Sequence, residues 1–130
     1  MKKALFLIAM MLAVACQSTH SPITPKLGEE IKVGLNQQVT FPDEGFSIQF
    51  NDLLEDSRCP KGVTCVWAGN AKVAIQFNKQ IVSLNTFTDY PKQATVSGYT
   101  IQLVSVSPYP IYEQKIQEKE YIVTLIVIKK

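Results

Sequence analysis

From residue 29 onward, apolar side chains recur at every second position, and no other feature constrains the fold of this chain as tightly. Ile31, Val33 and Leu35 alternate with Lys32 and Gly34, and Val39 and Phe41 follow. Phe46, Ile48 and Phe50 alternate with Ser47 and Gln49; Ala71, Val73, Ile75 and Phe77 with Lys72, Ala74 and Gln76; Tyr99, Ile101 and Leu103 with Thr100 and Gln102. Ile81 to Leu84 is a shorter run. A period of two places one set of side chains on one face of a pleated strand, so each run reads as a half-buried strand. Residues 121–128 are apolar on both parities, which predicts a strand covered on both faces or central in its sheet. Lys129 and Lys130 follow it, and charge of that kind keeps a strand end soluble. Turn formers separate the runs at Pro42-Asp43-Glu44-Gly45, Gly69-Asn70, Asp89-Tyr90-Pro91 and Ser97-Gly98. Asn78-Lys79, between two strand-like runs, predicts a tight hairpin. Residues 112–120 have apolar content for one helical turn or two at most. About seven short strands in roughly 100 residues predict an all-β domain over 29–130: an antiparallel β-sandwich of immunoglobulin-like kind or a small barrel.

The segment before this domain has a different composition. Lys2 and Lys3 precede Ala4 to Ala15, which contain neither charge nor proline. A basic start followed by about a dozen apolar residues is the layout of an export signal. A membrane-spanning helix needs about 20. Leu12-Ala13-Val14-Ala15-Cys16 resembles the lipobox of bacterial lipoproteins, with Ala13 standing three places before the cysteine where that pattern prefers Leu. The resemblance implies cleavage of residues 1–15, lipid on Cys16 and N-acylation of the new terminus. More than one acyl chain is what makes such an anchor stable. Gln17, where an Asp would retain a Gram-negative lipoprotein at the inner membrane, implies the outer membrane in such a host. Residues 16–28 are small, polar and Pro-containing and read as a tether with a reach of roughly 20 Å.

The chain carries 13 basic and 11 acidic residues; two of the basic ones lie in the leader, which leaves 11 against 11. A neutral domain whose one arginine is Arg58 has no basic face for nucleic acid.

Residues 56–69, Asp-Ser-Arg-Cys-Pro-Lys-Gly-Val-Thr-Cys-Val-Trp-Ala-Gly, stand apart from the alternation. Cys59 and Cys65 are the only cysteines besides Cys16. An oxidising compartment favours their pairing. The rival reading, two metal thiolates, falls short of the roughly four ligands that structural zinc needs, since the one histidine, His20, lies in the tether. Trp67 follows Cys65 by two residues; on a strand both would face the same way, so Trp67 is expected to pack against the bridge as a core plug. The functional alternative is an exposed aromatic that grips a partner. Asp56 and Arg58 form either an ion pair that pins the loop or two solvated side chains.

The string Asp-Ser-Arg-Cys-Pro, four residues, Cys, one residue, Trp, one residue, Gly resembles that of a group of small, uncharacterised bacterial lipoproteins. Ser107-Pro108-Tyr109-Pro110 before a β-rich end is similar to the same group. The resemblance implies envelope location and the disulfide, and no chemistry.

Catalytic groups are sparse. With His20 in the tether, the domain has no histidine for a nucleophile's base. Asp52, Glu55 and Asp56 cluster in sequence and offer oxygen donors for calcium or a carboxylate pair for glycoside hydrolysis. Their spacing matches no calcium loop, and a solvated acidic strand end is the expected reading. Two loops are candidate binding surfaces. The bridged loop offers Lys61, Val63 and Trp67, and a rigid loop loses less entropy on binding. The long connection 107–118 offers Tyr109 and Tyr112, unless its tyrosines pack on the sandwich edge as part of a stiff crossover. The expectation is a lipid-anchored, non-enzymatic envelope domain, without cofactor, that binds a protein or envelope component; the alternative is a metal- or small-ligand-binding domain.

Overall fold

A computed structural model describes residues 24–130. The leader, Cys16 and the tether as far as residue 23 lie outside the described residues. Eight strands follow one another: β1 (Glu30–Gly34), β2 (Gln38–Phe41), β3 (Phe46–Asp56), β4 (Ala71–Phe77), β5 (Gln80–Asn85), β6 (Gln93–Val96), β7 (Tyr99–Ser107) and β8 (Ile122–Lys129). They form two four-stranded antiparallel sheets, ordered β1-β8-β7-β6 and β2-β3-β4-β5. The sandwich is the predicted one, with one more strand than the alternation marked. That strand is β6, whose Gln-Ala-Thr-Val is too short to display a period. Each strand pairs with a neighbour in sequence, apart from β1 with β8, so the connections are meanders and not the Greek keys of immunoglobulin domains.

The period-2 residues line the space between the sheets. Val33, Phe41, Ile48, Phe50, Val73, Ile75, Phe77, Leu84, Ile101, Leu103, Val123 and Leu125 are essentially inaccessible. β8 is central in its sheet, and its inward residues Val123, Leu125 and Val127 are buried. Its other parity is only partly covered, with Ile122 and Ile128 exposed. Asn78 turns the β4–β5 hairpin with a φ of 51°, and Ser97-Gly98 turn β6 into β7 at 50° and 82°. Leu27 packs on the core, and the Gly28 amide donates to the Val127 carbonyl at 2.8 Å. The domain thus begins two residues inside the stretch read as tether.

Two irregularities in β3 matter for what lies beyond it. The register with β4 shifts between Phe50 and Asp52 and again between Leu53 and Glu55. An extra residue in one strand flips the inward parity. Strict alternation from Phe46 would point Asp52 and Leu54 into the core. The first bulge turns Leu53 inward beside Val73, and the second restores the original parity, so that Asp56 faces inward beside Ala71. Asp56 thus brings a carboxylate to the rim of the core at one end of the sandwich.

Candidate functional site

That end is where β3 and β7 finish and β4 and β8 begin. It carries the cysteine loop (57–70) and the long connection between β7 and β8 (108–121). Cys59 and Cys65 are bonded, with Cα atoms 5.9 Å apart.

Arg58 organises the region. Its guanidinium forks onto Asp56, Nε to Oδ1 and Nη2 to Oδ2, both at 2.7 Å. Nη1 donates to the Val106 carbonyl at 2.6 Å and Nη2 to that of Pro108 at 3.1 Å. Of the two open readings for Asp56 and Arg58, the ion pair is the one formed, and it is not a surface pair: Arg58 is 8% exposed. Tyr121 donates its hydroxyl to Asp56 Oδ2 at 2.9 Å. Burial pushes the Asp56 carboxyl up, but hydrogen bonds from Arg58 and Tyr121 and the Arg58 charge outweigh it and hold the group below its ordinary value. Burial, with the hydrogen bond to Asp56, pushes Tyr121 up to about 12. One residue thus ties the end of β3 to the end of β7 and, through Asp56, to the start of β8.

The rest of the string has equally specific tasks. Ser57 donates its backbone N–H to the Asn70 carbonyl at 2.7 Å and accepts the Asn70 N–H on its hydroxyl at 3.1 Å. Trp67 Nε1 donates to the Ser57 carbonyl at 3.2 Å. Gly69 sits at φ +72°, with its backbone against that of Ser57 and Arg58; a Cβ there would land on the Ser57 carbonyl and 2.7 Å from Arg58 Cα. Asn70 is buried and continues the knot. Its amide donates to Asn85 Oδ1 at 2.9 Å, and its Oδ1 accepts the N–H of Phe87 at 3.1 Å. Asn85 in turn donates to the Pro91 carbonyl at 3.0 Å.

The two loops read as candidate binding surfaces lie side by side. Lys61 donates its N–H to the Pro110 carbonyl at 3.0 Å, and Tyr112 donates its own to the Lys61 carbonyl at 2.9 Å. The Tyr109 hydroxyl donates to the Cys59 carbonyl at 2.8 Å, and its ring centroid lies 5.2 Å from the Arg58 guanidinium carbon and 5.8 Å from Lys61 Nζ. Lys61, Val63, Trp67, Tyr109 and Tyr112 are all exposed and form one cap with Val66 and Ile111.

The expected burial of Trp67 does not hold: the side chain is 58% exposed. The premise fails because β4 begins at Ala71 and Cys65–Trp67 lie on no strand. The core beneath needs no plug, since Ala71 and Val106 close it under the Arg58 clamp. Trp67 instead fastens the loop through its indole N–H and leaves its ring in solvent. Val66 beside it is 99% exposed.

Asp52, Glu55 and Asp56 do not converge. Asp56 is held by Arg58 and Tyr121, Glu55 accepts from the Ser57 hydroxyl at 2.9 Å, and Asp52 is exposed on the outer face. Among the described residues no three His, Cys, Asp or Glu side chains lie close enough to share a metal ion. A shallow cleft of about 310 Å³ opens between Arg58, Gly69, Phe87, Val104 and Tyr109. Sequence reasoning missed Asn70, Asn85 and Tyr121 as parts of this region. Gly69-Asn70 signalled only a turn, and Tyr121 read only as the first residue of a strand.

No family model, curated protein or solved structure matches the chain.

Proposed function

We propose that this chain is a lipid-anchored protein of the bacterial envelope, held through Cys16, whose β domain is a non-enzymatic binding module with the cap as its contact surface. The export-like leader and the lipobox-like Leu12–Cys16 support the anchor. The observation that carries the binding reading is the cap itself. Val63, Val66, Trp67, Tyr109, Ile111 and Tyr112 project from two loops that are bridged, clamped and hydrogen-bonded to each other. Exposed apolar surface on a backbone this constrained costs little further entropy when a partner covers it. Two Tyr and one Trp are residue types that dominate contact energies.

The anchor is tested by fractionating cells that express the full chain or Cys16→Ser and weighing the membrane-bound form. The expected result is an acylated species starting at residue 16 that the variant lacks. A variant that matures at the same site and stays membrane-bound would refute the anchor. The binding surface is tested with Val66→Asp and Lys61→Glu, which should keep the thermal midpoint while abolishing association with envelope components. Association that survives both changes refutes the cap.

A further inference from the structure

The cap and the chain's point of entry lie at opposite poles. The Gly28 amide meets the Val127 carbonyl, and the Lys130 amide meets that of Gly98 at the β6–β7 hairpin. Along β8 the cap end is Ile122, beside Tyr121 and Asp56. At about 3.3 Å per residue, the eight residues of β8 and the eleven of β3 separate the poles by roughly 25–35 Å. The described chain therefore enters the domain at the pole far from the cap.

This polarity decides among occupants. A bilayer holding Cys16 is a poor one. The chain from Cys16 to Leu27 spans at most about 40 Å fully extended and typically about 20 Å. To lay the cap on that bilayer, the domain must turn over and draw the segment close to its limit. A second copy is also a poor occupant. With ordinary side-chain areas of about 150–250 Å², the six apolar residues expose about 600 Å², and two caps paired about a twofold axis would set Lys61 against its own copy with no carboxylate from either cap. A patch of this size with aromatic anchors suits a few deeply seated side chains. Insertion of the bridged loop as an extended strand into another protein's edge is blocked, because the N–H and C=O of Lys61 are both taken by the 110–112 segment. What remains on offer are side chains: Val66 and Trp67 at the apex, and Lys61, the one charge between Cys59 and Asn70.

Resting on the binding reading above, we infer that the cap docks a separate protein that approaches from the side away from the anchor and carries an apolar recess for Val66 and Trp67 beside a carboxylate for Lys61. The test places a photoreactive side chain at position 66 of the full chain in cells, and at position 79 on the opposite pole as a control. The expected result is one adduct with a different protein at 66 and none at 79. That protein, once purified, should bind the domain at least tenfold more weakly after Val66→Asp and after Lys61→Glu, with the domain's thermal midpoint unchanged. An adduct of twice the chain's mass, or lipid adducts alone, overturns this inference while leaving the cap a contact surface. No adduct at 66 overturns the inference and the binding reading together.

Discussion

At the pole where the chain enters, apolar contact closes the sandwich. Phe46 stacks on Phe41 and Phe77 with ring centroids 4.6 Å apart, and Tyr99 leans on it at 4.5 Å. The one ion pair there among the described residues, Lys129 to Glu44, leaves the lysine largely in solvent. At the cap pole the core tapers to Ala71 and Val106, and polar groups take over: Arg58 across Asp56, Val106 and Pro108, then Asn70 and Asn85 beyond. The difference lies in tolerance. Stacked rings adapt to small changes by sliding, whereas a directional knot loses several bonds with any one member. Fastening loops by bonds also leaves their side chains free to face outward, and stacking would have drawn those side chains in.

Two glycines with similar backbones test this contrast most strongly. Gly98 at the entry pole has φ +82° and open space where a Cβ would go, while Gly69 has φ +72° and meets backbone there. Denaturant titration should show Gly69→Ala losing about 4 kcal/mol and Gly98→Ala about 1 kcal/mol. Equal losses would mean that the knot yields as easily as an open hairpin. Next in size is Arg58→Met, which strands Asp56 near the core and should lose about 3 kcal/mol. Lys129→Met should cost under about 0.5 kcal/mol in the same assay. Opening the seven-residue ring with Cys59→Ser and Cys65→Ser together should cost about 2 kcal/mol by loop entropy. Far-ultraviolet circular dichroism should then stay that of the intact sandwich, since no strand lies inside the ring; a loss of strand signal would show that the bridge, and not Arg58, holds the pole.

The smallest effects are pH-dependent. Asp56 is depressed on folding, so its stabilisation is complete above the ordinary 3.8 and is lost as pH falls through the lower folded value. Tyr121 is raised, so its stabilisation is complete below 10.0 and is lost as pH rises through about 12. Thermal midpoints recorded across both windows should flatten at the acid end in Asp56→Asn and at the alkaline end in Tyr121→Phe. An unchanged alkaline arm in Tyr121→Phe would sink the Tyr121–Asp56 coupling.

Much of the fold could be read from the chain because alternation is a local signal. The both-parity run at 121–128 announced a central strand, and Asn78-Lys79 announced its hairpin. The cysteine pair was legible from number and spacing. What could not be read are relations across long separations. The acceptors of Arg58 on residues 106 and 108, and the carboxylate that Tyr121 reaches, lie some 50 to 65 positions away. No window around residues 56–69 contains them. Trp67 was misjudged for a related reason: its burial depended on where β4 starts, and β4 starts only at Ala71, after the Ser57–Asn70 bonds have closed the loop.

The pairing of β1 with β8 has a consequence for how the domain comes into being. Residues 30–34 are hydrogen-bonded to residues 122–126, while the other ladders join strands adjacent in sequence. A chain delivered N-terminus first, from a ribosome or through a membrane pore, can form the β2–β5 and β6–β7 meanders as they arrive, but β1 must wait with its edge unpaired until β8 is out. For that interval the domain is sensitive to any factor that holds an exposed strand, and a substitution in β8 acts first on the yield of finished protein.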